Sequence, residues 1–259
     1  MQSAVLFSVS SFRARLTNAD ARGIILYIFR AAGDGGAVQT GGYTVSFQTV
    51  IFDLDGTLLN TLDDLHASVN AALGAFSLPL RTREEVRRFV GNGIRLLIER
   101  AVPEHTPPAL TDRVFESFRT HYGQHCMDRT RPYEGIVPLL QALHRAGVHI
   151  AVVSNKADAA VQPLIARSFG GLAEFVLGEK PGVARKPAPD MAQAAMDFFA
   201  CPKDQAVFVG DSDVDIQTAA NASIDCISVC WGFRTRQELM AAGAVRLADT
   251  PAELQALLL

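Results

Sequence analysis

Thr49-Val50-Ile51-Phe52-Asp53-Leu54-Asp55-Gly56-Thr57-Leu58-Leu59 decides how the rest of this chain is read. A short apolar run bounded by a turn signal reads as a buried strand. This one ends in two carboxylates, and burial penalises each by several kcal/mol unless a cation compensates. The acids therefore belong at the end of the strand, where Gly56 supplies the permissive backbone on which the chain leaves the sheet. Residues i and i+2 of an extended segment point to the same side, so Asp53 and Asp55 converge on one site. Two carboxylates so close repel. Either one is protonated part of the time or a divalent cation neutralises them.

Working outward, residues 61–131 read as helical throughout. Leu62, Leu65, Val69, Leu73 and Phe76 recur at helical spacing behind a Thr61/Asp64 cap signal, and Thr82 with Glu85 forms a second capping box. Gly91-Asn92-Gly93 breaks the pattern, which resumes over Ile94–Ala101 and again through Leu110, Val114, Phe118 and Tyr122. From Pro132 onward helix and strand alternate. Val148–Val153, Phe175–Leu177, Ala206–Gly210, Cys226–Val229 and Val245–Leu247 are the further strands, with amphipathic helices between them. That alternation predicts an α/β fold with a doubly wound parallel sheet covered on both faces. The core comprises residues 47–60 and 132–259, with residues 61–131 inserted as an all-helical cap above the carboxyl ends of the strands, where such sheets bind ligands. Residues 1–46, ending in the glycine-rich Gly33–Gly42 stretch, read as a disordered or loosely attached N-terminal extension.

The chain has 259 residues, 49% hydrophobic and 20% charged, with a net charge of −3. A phosphate-tracking groove normally carries an excess of Lys and Arg, so a nucleic-acid partner is not expected. The apolar run Ile24–Phe29 is too short to span a bilayer, and no basic segment precedes Ala4-Val5-Leu6-Phe7, so neither a membrane partner nor a secretory signal is read. Cys126, Cys201, Cys226 and Cys230 lack metal-site spacing and suggest no disulfide framework, in keeping with a reducing cytoplasm.

Three further polar clusters fall where this architecture wants them. Ser154-Asn155 follows the second long strand and offers a hydroxyl, an amide and main-chain N–H groups to a phosphoryl oxygen. Lys186-Pro187-Ala188-Pro189 holds a cation ahead of a helix start, stiffened by prolines. Gly210-Asp211-Ser212-Asp213-Val214-Asp215 brings more carboxylates to the same edge of the sheet. A lone Ser-Asn or Lys-Pro pair would be ordinary surface chemistry; all of them at strand ends, in this order, are not. The acidic run is no calcium loop, because its sixth and twelfth positions are Ile216 and Ala222 where Gly and Glu are required. His121 and His125, four apart, lack a third ligand and read as a helix-surface pair.

With these motifs in place the sequence resembles the haloacid dehalogenase-like phosphohydrolase superfamily over residues 49 to about 257. The resemblance implies Asp53 as nucleophile and Asp55 as general acid and base. It implies Mg²⁺ held by the Asp53 carboxylate, the Asp55 carbonyl and Asp211, with Asp215 supporting the metal directly or through water and Lys186. Ser154, Asn155 and Lys186 would hold the phosphoryl group. The cap segment Val90–Ala101 and the stretch Leu59–Leu65 look like the phosphoglycolate phosphatase group, which implies a Mg²⁺-dependent phosphomonoesterase for a small phosphorylated metabolite, 2-phosphoglycolate. Arg95, beside the glycine loop, is either an ordinary exposed residue or the group that binds the substrate carboxylate. Residues 60–131 contain no lysine, which excludes the Schiff-base phosphonate hydrolases of the superfamily. A pyrophosphatase, a β-phosphoglucomutase-like phosphotransferase and a non-catalytic binding protein of the same fold are the alternatives.

Overall fold

The computed structural model describes residues 46–259. Its strands in chain order are β1 (Thr49–Phe52), β2 (Leu59–Asn60), β3 (Arg131–Pro132), β4 (His149–Ala157), β5 (Phe175–Glu179), β6 (Ala206–Gly210), β7 (Asp225–Val229) and β8 (Arg246–Ala248). Six of them form one sheet in the order β5-β4-β1-β6-β7-β8. Every neighbouring pair in it is parallel. Strand β1 is thus internal, with Phe52 facing Val152 on one side and Val209 on the other.

Alternation along β1 explains why the run is apolar without a break. Val50 and Phe52 enter a core with Leu139, Leu143, Val161 and Leu254 on one face of the sheet. Ile51 enters a second core with Val153, Met191, Phe208 and Ala219 on the other. A strand covered on both faces has no solvent side on which to place a polar residue. Full burial of one such side chain contributes ~1.5–3 kcal/mol.

Between β2 and β3 lie four helices, Leu62–Ala75, Arg83–Phe89, Ile94–Ala101 and Pro108–His125. They share a third core, built around Leu65, Val69, Leu73, Val86, Ile98 and Phe118, and the loop after β7 adds Phe233 to it. Gly91-Asn92-Gly93 does break the helical run, with Gly91 and Gly93 both at positive φ. Thr82 and Glu85 form the expected reciprocal capping box. The Thr61/Asp64 signal does not. The Thr61 side chain makes no cap bond, and Asp64 instead accepts from the backbone N–H groups of Arg129 and Thr130 and from the Thr130 hydroxyl at 2.8–3.1 Å. A buried carboxylate is better compensated by three donors than by one helix end, so the local cap gives way to a tertiary contact.

The two crossings into and out of this helical block, β2 and β3, pair with each other as a short antiparallel ribbon. Strand β4 runs to Ala157, four residues past the apolar stretch that marks it in the sequence, and its register with β5 is irregular between Val153 and Ala157. Ser154, Asn155 and Lys156 occupy that irregular end. No helix among the described residues is long and apolar enough to cross a membrane. The expectation for residues 1–46 lies, but for Ser46, outside the described residues.

Candidate active site

Because the main sheet is parallel throughout, the carboxyl ends of β1, β4 and β6 share one edge, and each delivers polar groups there. Asp53 follows β1 directly, Ser154 lies near the end of β4, and Asp211 follows β6 directly. The three acids Asp53, Asp211 and Asp215 are all buried, and one carboxylate oxygen of each lies within 4.8 Å of the others. Lys186 is equally buried. Its ammonium donates to Asp53 Oδ1 at 2.6 Å and to Asp215 Oδ1 at 2.7 Å. Asp215 is held from its other side by the Ser212 N–H at 3.1 Å and hydroxyl at 2.6 Å. Asp211 accepts from the Phe233 N–H at 2.6 Å and from Thr57 Oγ1 at 3.2 Å.

Three glycines permit this crowding, among them Gly232 packed against Asp211. A Cβ on Gly56, whose φ is +94°, would overlap the Asp211 carboxylate, and one on Gly210 would overlap Asp215. Glycine at these positions lets backbone and carboxylates approach as no other residue would.

The electrostatics follow from burial and charge count. Three carboxylates and one ammonium leave a formal −2 in this cluster. Burial raises the Asp53 carboxyl to about 7 from an ordinary 3.8, with the Lys186 charge opposing and the Asp215 charge assisting. Burial, then Asp215 and Asp53, push Asp211 well above the usual carboxylate range. For Lys186 burial alone would weaken the ammonium, but Asp215 and Asp53 more than offset it and its pKa rises. An all-oxygen donor set with this excess of negative charge fits a hard divalent cation such as Mg²⁺.

Asp55 stands beside the cluster with a cation of its own. Lys156 Nζ approaches its two oxygens at 3.1 and 3.4 Å and also donates to Tyr122 Oη at 2.5 Å. Ser154 Oγ accepts from the Lys156 N–H at 3.2 Å and lines the same cavity. The walls above this polar floor are apolar: Leu65, Val90, Ile94 and Leu97 from the helical block, and Phe233 from the core loop.

Most of the sites expected from the sequence are brought together here: Asp53, Asp55, Ser154, Asn155, Lys186, Asp211 and Asp215 all line one cavity. The expectation for Arg95 is corrected, and the Asn155 side chain takes a structural contact. The Asn155 amide donates one of its two N–H groups to the Lys186 carbonyl at 2.9 Å, and its Oδ1 is without a partner. That bond anchors the Lys186 loop. Arg95 does not reach the cavity. It projects outward, pairs with Glu99 and Asp112 at 2.6 Å each and lies over the Phe115 ring. On the helix Ile94–Ala101 the residues that face the site are Ile94 and Leu97; position 95 is a turn of about 100° away from Ile94.

Lys156 and Tyr122 are the site residues that sequence reading passed over. Lys156 carries a signal, since it follows Ser154-Asn155 on the same strand end; Tyr122 looks like one more apolar position of its helix. His121 and His125 form a stacked pair, as expected of a helix surface, with His121 beside Ser68 Oγ and His125 beside Asp128. Among the described residues, Asp53, Asp211 and Asp215 are the group with metal-binding geometry.

A parallel α/β sheet with an inserted helical block and a lysine-braced acidic cluster at its carboxyl edge defines a class of hydrolases. The chain belongs to the haloacid dehalogenase-like hydrolase family, whose model matches residues 50–229. It is 37% identical over 196 residues to the phosphoglycolate phosphatase of Haemophilus influenzae, covering 72% of this chain and 87% of that one. A crystal structure from Haemophilus somnus, described as a predicted phosphoglycolate phosphatase, superposes with a TM-score of 0.77 at 28% identity, covering 83% of this chain and 99% of that one. CbbY from Rhodobacter sphaeroides, solved with phosphate, gives a TM-score of 0.63 at 27% identity over 80% of this chain and 96% of that one.

Proposed function

We propose that this chain is a Mg²⁺-dependent phosphomonoesterase for a small phosphorylated metabolite, 2-phosphoglycolate, working through an aspartyl-phosphate on Asp53. The observation that carries the reading is the buried cluster of Asp53, Asp211 and Asp215 around Lys186, two units of charge short of neutrality, beside a second carboxylate with its own lysine. Likeness to the Haemophilus influenzae enzyme supports the choice of substrate.

In this reading Lys186 fixes one oxygen of Asp53, and the other attacks phosphorus as the ester bond breaks. Asp55 gives its proton to the leaving oxygen and then takes one from the water that hydrolyses the acyl phosphate, so one hard step becomes two easier ones. Ser154 and Lys186 bind the phosphoryl oxygens. Asp53, Asp211 and Asp215, with the Asp55 carbonyl, would hold Mg²⁺, which when bound neutralises charge on the transferring group. Leu65, Val90 and Leu97 keep bulk water from the acyl phosphate. Residues 61–131 serve as the cap that supplies these walls.

A panel of small phosphate esters, assayed with Mg²⁺ and with EDTA, tests the proposal. 2-Phosphoglycolate should be turned over only with metal. Asp53→Asn should be inactive and Asp55→Asn should lose ~10²–10⁴-fold in rate while keeping its circular dichroism spectrum. Turnover of pyrophosphate but not 2-phosphoglycolate would overturn the substrate assignment, and an active Asp53→Asn the mechanism.

A further inference from the structure

Tyr122 stands on the last long helix of the inserted block, yet its hydroxyl meets a lysine of the core at 2.5 Å, and that lysine is paired to Asp55. All three members are largely shielded, Lys156 with 5% and Asp55 with 17% of its side chain exposed. The Lys156 ammonium also lies 4.6 Å from the centroid of the Tyr122 ring, so ring and hydroxyl together determine where it sits. The ring is itself immobilised by stacking on Phe118, with centroids 5.3 Å apart. From the other end, the Lys156 N–H donates to Ser154 Oγ, which fixes the root of the lysine side chain. A long flexible side chain is thereby held at both ends, with its charge delivered to one carboxylate.

We infer that Lys156 and Tyr122 are positioning residues for Asp55: the helical block, through the Tyr122 hydroxyl, sets where the Lys156 ammonium sits, and the ammonium sets the orientation of the acid that serves the leaving group. This inference rests on the phosphatase reading above, in which the P–O bond to the leaving group breaks as Asp53 bonds to phosphorus and Asp55 hands its proton to the departing oxygen. Proton donation requires the carboxyl within hydrogen-bond reach of that oxygen, and a misplacement of about 1 Å can cost ~10²-fold. Lys186 cannot do this work, since its ammonium is engaged by Asp53 and Asp215. Tyr122 touches no reacting atom; it acts through Lys156.

The dependence on leaving group separates this role from a structural one. An alkyl ester such as 2-phosphoglycolate needs a proton on its departing oxygen, whereas the p-nitrophenolate of an aryl phosphate departs without one. In kcat/KM, which reports steps up to formation of the acyl phosphate, Tyr122→Phe should lose roughly 10- to 100-fold on 2-phosphoglycolate, the effect of one hydrogen bond to a charged group. It should lose less than about threefold on p-nitrophenyl phosphate. Lys156→Gln should show the same split more strongly, and Lys156→Arg should restore part of the loss on the alkyl ester. Equal losses on both esters in Tyr122→Phe and Lys156→Gln, or no loss in either, would overturn the inference. The parent reading fails differently: there the unaltered protein would hydrolyse neither ester, or would do so with Asp53 replaced.

Discussion

At Asp53, burial and charge act against each other, and the balance sets a pH dependence. Its carboxyl is raised to about 7 in the fold against an ordinary value of 3.8. Between those values the folded metal-free protein binds a proton that the unfolded chain has released, so stability falls as pH rises from about 4 to about 7 and then levels off. Asp211, raised in the same direction by burial, adds to the slope. A divalent cation bound to ionised carboxylates removes the penalty where it is largest. The gain in melting temperature on adding Mg²⁺ over EDTA should therefore be small at pH 5 and large at pH 8. Thermal melts at the two pH values check this, and an equal gain at both would mean that the cluster does not hold the metal. These acids were legible at residue scale because a carboxylate at the end of an apolar run has few innocent explanations. Of the two readings of Arg95 the exposed one holds, and the sequence left both open because distance from a loop says nothing about which face of the helix a side chain takes.

At the start of the helix Leu62–Ala75 a local signal gives way to a tertiary contact. Asp64 reads as part of its cap, yet binds the Arg129 and Thr130 backbone, tying the entry of the helical block to its exit more than sixty residues later. Asp64→Ala should leave those N–H groups unpartnered at a site where Asp64 is 2% exposed, costing about 1–3 kcal/mol. Urea denaturation followed by circular dichroism measures it. Asp64→Asn, which keeps an acceptor oxygen, should recover part of the loss. If the local cap were the true role, Asp64→Ala would cost no more than a typical cap residue and Asn would replace it fully. Strand β4 teaches the same point: its apolar stretch ends at Val153, but backbone pairing carries the strand to Ala157, so polar Ser154 and Lys156 sit on an ordered element.

At the scale of the whole molecule, the helical block and the sheet meet along two lines besides the Tyr122–Lys156 contact. One is the β2–β3 ribbon. The other is the loop after β7, where Phe233 enters the core of the block, its carbonyl accepts from Arg87, and Arg234 donates to the Val90 carbonyl at 2.9 Å. Trp231, the sole tryptophan, lies on that loop and donates to the Thr57 carbonyl at 2.9 Å, just past the acidic strand end. If the block closes on a bound phosphoryl group, this loop is strained or relaxed with it. Mg²⁺ with a beryllium or aluminium fluoride complex should then shift Trp231 emission, and neither Mg²⁺ nor fluoride alone should match it. An emission spectrum that stays unchanged under all three conditions would count against closure.

The chain by itself determined the parallel α/β sheet, the helical insertion and the acidic edge, because each depends on a local property: a period of two or 3.6, a turn residue, a charge at the end of an apolar run. Contacts between distant segments were decided only by the tertiary structure. Tyr122 meets Lys156, Asp64 binds Thr130 and Asn155 holds the Lys186 carbonyl, each across 30 residues or more. Such pairings arise because a buried charge or amide takes the best partner the packing offers, and packing has no signature in sequence spacing.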